Sequence, residues 1–221
     1  CNARGVLQWV AGVLVFLSRK QGWHPSERTL GVVGVGHVGS LVKEYAERWG
    51  FRVLCCDPPR AAREGFLSLS VEQLAERCDI LTFHTPLDDS TRHLCGAELL
   101  ARMPSGVVVL NSSRGEVVDN EALWRSGHPC ALDVWEGEPH LNRELLERAE
   151  VATSHIAGYS LQGKANASAM AVAAVARHFG WPLVGWYPAE VEPSRPCEVS
   201  WQELCGTIDH YFDAVFLFLI Q

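Results

Sequence analysis

At 221 residues, 48% hydrophobic and 20% charged, the chain has the make-up of a soluble globular protein large enough to bury a core unaided. Its formal net charge of −7 and the lack of any Lys/Arg-rich tract argue against nucleic acid as a partner, which calls for a basic face. Eight scattered cysteines with no C-x-x-C pair fit neither a disulfide scaffold nor a zinc site, so we expect buried free thiols in a reducing cytoplasm and no metal.

The chain opens on Cys1 rather than Met and closes on apolar residues, which reads as a piece of something longer. Val6 to Leu17 is apolar but is interrupted by Gln8, and Ser18-Arg19-Lys20-Gln21 is no small-residue cleavage site. Residues 1–22 are therefore expected to form a linking helix. Val215 to Ile220 is too short to span a bilayer, and no membrane partner is expected. From residue 29 onward, apolar runs of strand length alternate with amphipathic segments. Strands are expected at Thr29 to Gly36, Phe51 to Cys56, Ile80 to His84, Gly106 to Leu110, Cys130 to Trp135 and Val151 to Ser154. Between them lie helices at His37 to Trp49, from the capping box Ser70-Val-Glu-Gln73 through Arg77, at Asp119 to Trp124, and at Glu144 to Ala149. This alternation implies an α/β fold with a doubly wound parallel sheet covered on both faces. Ser160 to Phe179 reads as one Ala-rich helix leaving that domain, and after Gly180 four prolines break up the chain.

Gly34-Val-Gly36-His37-Val38-Gly39 follows the first strand and opens the first helix of the sheet. Gly34 permits the tight turn, Gly36 lets backbone approach a pyrophosphate, and Gly39 allows close helix–strand packing. The helix N-terminal amides add partial positive charge for the phosphate. Asp57 closes the second strand, where a carboxylate grips the ribose hydroxyls of a dinucleotide. It would repel a 2′-phosphate, so NAD is favoured over NADP. Arg60 and Arg63 are expected not to answer that charge, because Pro58 and Pro59 direct the chain away before either is reached.

Three further segments follow strands four, five and six: Asn111-Ser-Ser-Arg114-Gly-Glu-Val-Val-Asp119, Asp133-Val-Trp-Glu-Gly-Glu138-Pro, and Ser154-His155-Ile-Ala-Gly158-Tyr159. All lie at carboxyl ends of parallel strands and would converge on one crevice. An imidazole titrates near neutrality and so suits acid/base work in both directions of a proton transfer. A guanidinium holds a carboxylate bidentately. Taken singly, Arg114, Glu138 and His155 also read as an ion-pair partner, a turn residue and a satisfied hydrogen bonder.

Together with the glycine turn, these segments resemble the D-2-hydroxyacid dehydrogenase family, marked by R-G-x-x-V-D, D-V-x-x-x-E-P and H-I-A-G motifs in this order. The resemblance implies a Rossmann NAD-binding domain over 23–158, a helix over 159–180 returning to a substrate domain, and a partial C-terminal dimerisation segment over 181–221. The family's N-terminal substrate-domain segment has no counterpart before Cys1. The resemblance also implies that Arg114 anchors and polarises the substrate, that His155 is the general acid/base, and that Glu138 hydrogen-bonds its imidazole and favours the protonated form. Asp133 faces the nicotinamide carboxamide on this reading. Thr85, Ser112, Ser113, Arg114 and Gly158 complete the cofactor set, and Tyr159 reaches the substrate.

Cys56-Asp-Pro-Pro-Arg60, Phe83-His-Thr-Pro-Leu87 and Thr153-Ser-His-Ile-Ala-Gly-Tyr-Ser-Leu-Gln-Gly-Lys164 narrow the resemblance to the branch that oxidises 4-phospho-D-erythronate to the 2-oxo acid, as a homodimer. The competing readings are another member such as one acting on 3-phosphoglycerate, an NAD-responsive interaction protein, and an inactive NAD-binding remnant. His84 borders the cofactor loop, while His24, His93, His128, His140, His178 and His210 are assigned to surface or core.

Overall fold

The computed structural model describes residues 2–193 and 198–207. The readings made at Cys1, His210 and Val215 to Ile220 lie outside them.

The apolar N-terminal stretch is one helix, α1 (Ala3–Gln21), stopped by Gly22 in the left-handed conformation at φ 71. β1 (Thr29–Val33) leads through the glycine turn into α2 (His37–Trp49), and β2 (Arg52–Cys56) follows. Next come α3 (Pro58–Glu64), α4 (Val71–Ala75), β3 (Ile80–Phe83), α5 (Ala97–Leu100) and β4 (Val108–Asn111). α6 (Asn120–Ser126), β5 (Cys130–Leu132), α7 (Arg143–Arg148), β6 (Val151–Ala152) and α8 (Leu161–Phe179) complete the order. The capping box expected at Ser70 is present, with Ser70 Oγ accepting from Gln73 N and Gln73 reaching back to the Ser70 amide.

The six strands form one parallel sheet in the order β2-β1-β3-β4-β5-β6. Successive side chains point to opposite faces, and both faces are covered. Leu30, Val32, Ile80 and Leu110 pack under α1 and α2 with Leu14, Leu17, Val42 and Trp49. Val33, Leu81, Phe83 and Val109 pack on the other face with Leu74, Leu99, Leu123 and Leu145 of α4 to α7. Each such fully buried leucine contributes about 1.5–3 kcal/mol. The doubly wound α/β architecture is therefore as expected.

The register matters most for the site. Val33 is level with Cys56 and Phe83, Phe83 with Asn111, Asn111 with Leu132, and Leu132 with Ala152. All six carboxyl ends thus finish along one edge. The order reverses between β1 and β3, which opens a crevice at that edge.

Two local expectations are corrected. The fifth strand stops at Leu132, and the Asp133 side chain just beyond it accepts from Ile156 N and Ala157 N in the loop after β6. Pro58 and Pro59 do not carry the chain away. They occupy the first turn of α3, where a missing amide costs nothing, and Asp57 caps that helix by accepting from Arg60 N. Residues 198–207 pack against the sheet domain. Trp201 meets Trp49 and Phe51, Trp49 Nε1 donates to Val199 O, and Leu204 joins the α1–α2 side of the core.

Cys55, Cys56, Cys78, Cys95 and Cys130 are buried free thiols. Burial pushes their pKa values up, to about 11 for Cys55 and Cys56, so none is a ready nucleophile. Among the described residues no helix is long and apolar enough to cross a membrane, and no three His, Cys, Asp or Glu side chains converge as metal ligands.

Candidate active site

The glycine turn is built where β1 meets β3. Gly34 adopts φ +83, and a Cβ there would stand 2.8 Å from the His84 carbonyl oxygen. Only glycine fits. Gly39 closes against the Gly34 carbonyl, whereas a Cβ on Gly36 would meet nothing within 4 Å. That open side lies at the start of α2, whose first amides, among them those of His37 and Val38, have no intrahelical partner. Asp57, level with the turn, accepts from Val35 N at 2.7 Å through Oδ2 and from Arg60 N at 2.9 Å through Oδ1. Each oxygen keeps a lone pair for a ribose hydroxyl.

Along the same edge, the hydroxyls of Thr85 and Ser112 and Nδ1 of His84 are buried without a protein partner. Orphaned polar atoms beside an open glycine turn and an acidic strand end are what a dinucleotide would satisfy. The residues present fit NAD. Burial holds His84 well below the usual imidazole range, at about 4, so its ring is neutral at neutral pH.

The loop after β4 is shaped by Asn111. Its side chain, fully buried, donates to Arg114 O at 2.8 Å and accepts from Ser113 N and Ser113 Oγ. Arg114 is exposed, with one guanidinium nitrogen donating to Ser113 O. Gly115 presses on the Trp135 carbonyl, so the Arg114 loop and the 133–138 loop touch backbone to backbone. In that second loop Glu138 Oε1 accepts from Trp135 N, and Oε2 lies 3.0 Å from His155 Nδ1. The structure therefore brings Glu138 and His155 together, half-exposed, with Nε2 left for a reacting group. His155 sits at φ +58, uncommon for a non-glycine residue, and its amide donates to Asp133 O at 2.7 Å.

Asp133 helps to hold the same loop. It is 1% exposed and turned into the loop, accepting from Thr153 Oγ1, from Ile156 N at 2.8 Å and from Ala157 N at 2.9 Å. Those three bonds brace the turn that carries His155. Gly158 lies at the end of this turn, near Asn2. Tyr159 projects from it with 69% exposure, and Lys164 Nζ stands 3.6 Å from its ring centre. The Lys164 ammonium holds the Tyr159 phenol below its ordinary value.

Sequence reasoning overlooked several supports. Trp135 Nε1 donates to Thr153 O and Trp9 Nε1 to Thr153 Oγ1, tying the His155 turn to the loop after the fifth strand and to α1. Buried polar residues at strand ends, such as Asn111 and Thr153, were the available signal. A second imidazole–carboxylate contact, His93 Nε2 to Glu136 Oε1 at 2.6 Å, forms beside Asn120.

The family model for the D-isomer specific 2-hydroxyacid dehydrogenase NAD-binding domain matches residues 8–157. The chain belongs to that family. It is 46% identical over 187 residues to an erythronate-4-phosphate dehydrogenase of Ectopseudomonas mendocina, and 44% identical over 191 residues to one of Salmonella paratyphi A. These alignments cover 82% and 81% of this chain and 50% of each relative, so the chain spans about half their length. Among solved structures it is similar to a D-lactate dehydrogenase of Aquifex aeolicus complexed with NAD and lactic acid. There the identity is 26% and the TM-score 0.66, over 87% of this chain and 71% of that one. It is also similar to an NAD-bound 3-phosphoglycerate dehydrogenase of Entamoeba histolytica, at 28% identity and TM-score 0.69, over 81% of this chain and 62% of that one. As a member of the D-2-hydroxyacid dehydrogenase family, the chain carries an NAD-binding domain, and the glycine turn, Asp57 and the crevice-edge loops up to Ala157 lie within the matched residues.

Proposed function

We propose that the protein containing this chain oxidises 4-phospho-D-erythronate to its 2-oxo acid with NAD. The observation that carries the reading is the Glu138–His155 pair, 3.0 Å apart, on the crevice edge beside the glycine turn. Identity of 44–46% to proteins named erythronate-4-phosphate dehydrogenase supports the substrate. When bound, NAD supplies the acceptor for the hydride leaving C2. His155 Nε2 takes the hydroxyl proton, while Glu138 orients the ring through Nδ1 and stabilises its cation. Arg114 holds the substrate carboxylate and draws charge from the forming carbonyl. Tyr159, beside the Lys164 ammonium, is suited to the phosphorylated end of the substrate. Asp57 favours NAD over NADP by like-charge repulsion of a 2′-phosphate.

Residues 23–158 act as the cofactor domain, with 159–180 as the link to a substrate domain. Exposed Phe179, Trp181, Leu183 and Trp186 support a role for the segment from 181 in a homodimer contact. Buried thiols suit a reducing cytoplasm.

NADH absorbance with 4-phospho-D-erythronate and with 3-phosphoglycerate tests this reading. It is measured on this chain and on this chain preceded by the amino-terminal part of the Ectopseudomonas mendocina relative. Turnover of the first substrate, lowered about 10²- to 10⁴-fold in kcat by His155→Ala, is the expected result. Saturable NADH binding with no turnover by either protein would leave only a nucleotide-binding domain.

A further inference from the structure

The backbone of Val35, the middle residue of the glycine turn, is held at both polar ends by the segment that closes β2. Its amide donates to Asp57 Oδ2 at 2.7 Å, and its carbonyl accepts from an Arg60 guanidinium nitrogen at 2.9 Å. The same Arg60 nitrogen donates to Ser40 Oγ at 3.0 Å, and Ser40 Oγ in turn donates to Val35 O at 3.1 Å. Arg60 is itself fixed: its Nε donates to Glu64 Oε2 at 2.8 Å one turn along α3, and its guanidinium carbon lies 4.8 Å from the Phe66 ring centre. The Val35 side chain, 1% exposed, is anchored in the core. The peptide groups on either side of Val35 aim Gly36 and the first amides of α2.

We propose that Arg60 is a positioning residue of the cofactor site, which locks the pyrophosphate-binding turn to the ribose-binding carboxylate so that the two subsites move as one body. The inference rests on the NAD reading of this crevice and concerns what shapes it. Asp57 supplies half of the clamp and Arg60 the other half, and the two are joined through the α3 cap from Arg60 N to Asp57 Oδ1. A ligand that uses only the ribose carboxylate does not feel the turn's exact course. One that places a pyrophosphate on the α2 amides does, since amide–oxygen hydrogen bonds weaken steeply with misalignment.

The test is a set of equilibrium titrations on wild type, Arg60→Gln, Arg60→Lys, Ser40→Ala, Asp57→Asn and the Asp57→Asn/Arg60→Gln double variant. NADH and ADP are followed by fluorescence or calorimetry, and adenosine by saturation-transfer NMR. Arg60→Gln should weaken NADH and ADP about tenfold, as for loss of a charge-assisted hydrogen bond, and leave adenosine unchanged. Arg60→Lys should recover part of that loss, and Ser40→Ala should repeat it in smaller measure. In the double variant the two losses should be less than additive, because both break one clamp. Equal NADH affinity in wild type and Arg60→Gln, an equal loss for adenosine, or full additivity would each overturn the proposal. Should Arg60→Gln not fold, Arg60→Lys and Ser40→Ala decide by the same ADP-against-adenosine comparison. Wild type that binds no NADH would overturn the underlying cofactor reading instead.

Discussion

Replacing Asp133 by Asn separates two roles for the most deeply buried carboxylate at the crevice edge. In the structure its two oxygens accept from three donors, Thr153 Oγ1 and Ile156 N on Oδ1 and Ala157 N on Oδ2. Asparagine has one acceptor oxygen. If that oxygen keeps the first two donors, its NH₂ group faces Ala157 N, donor against donor. One buried amide is then unpaired, at about 1–3 kcal/mol, and the two surviving bonds lose charge assistance, at roughly 0.5–1 kcal/mol each. The sum is about 3 kcal/mol, which for a domain of this size lowers Tm by roughly 6–12 °C. The same bonds hold His155 at φ +58, a conformation that persists only where its surroundings over-determine it. Release of the turn should therefore displace the imidazole and lower kcat about 10²-fold, with NADH affinity little changed. Thermal melts, NADH titration and steady-state rates on one preparation provide the check. An unchanged Tm accompanied by a selective loss of NADH affinity would refute this reasoning and place Asp133 on the nicotinamide after all.

Three other outcomes are expected. Gly115→Ala drives a methyl into the Trp135 carbonyl, which backbone cannot yield cheaply, so stability should fall by about 1–3 kcal/mol and turnover with it; an unaffected urea midpoint would contradict the contact. Thr85→Val removes a buried hydroxyl that has no protein partner, so Tm without cofactor should hold or rise while NADH affinity falls several-fold. A fall in both would show the hydroxyl bonded within the protein. His84 titrates near 6.5 when unfolded and about 4 when folded, so the unfolded chain binds the extra proton between those values and stability is lost as pH falls through that window. Relative to His84→Gln, wild type should lose about 2 kcal/mol between about pH 7 and 5 in urea unfolding, and parallel curves would exclude the buried neutral ring.

The amino-acid sequence by itself determined the layered plan of this protein and the chemistry available to it. Continuous apolar strands such as Ile80–Phe83 and Val108–Asn111 have to be covered on both faces, and the periodic segments between them are the only helices at hand to do it. Gly34 and Gly39 are legible because the turn leaves no room for a Cβ, Gly36 and Asp57 because a dinucleotide wants open backbone and a carboxylate at those points, and the motifs around Arg114, Glu138 and His155 follow strand after strand in an order that predicts a common edge. What the tertiary structure alone decided is how those residues are held. Whether Asp133 faces a ligand or braces a turn depends on the donors at 153, 156 and 157, which the fold brings back from a neighbouring strand. Two prolines ahead of Arg60 read locally as a deflection of the chain, yet prolines in a first helical turn start a helix, and that helix aims Arg60 at the glycine turn. The return of residues 198–207 onto Trp49 and Phe51 was equally hidden, since aromatic contacts across so many residues leave no periodic trace in the chain. Local pattern records which backbone states a segment tolerates. The partners of a buried polar or aromatic side chain are set by segments distant in sequence, and only the assembled sheet names them.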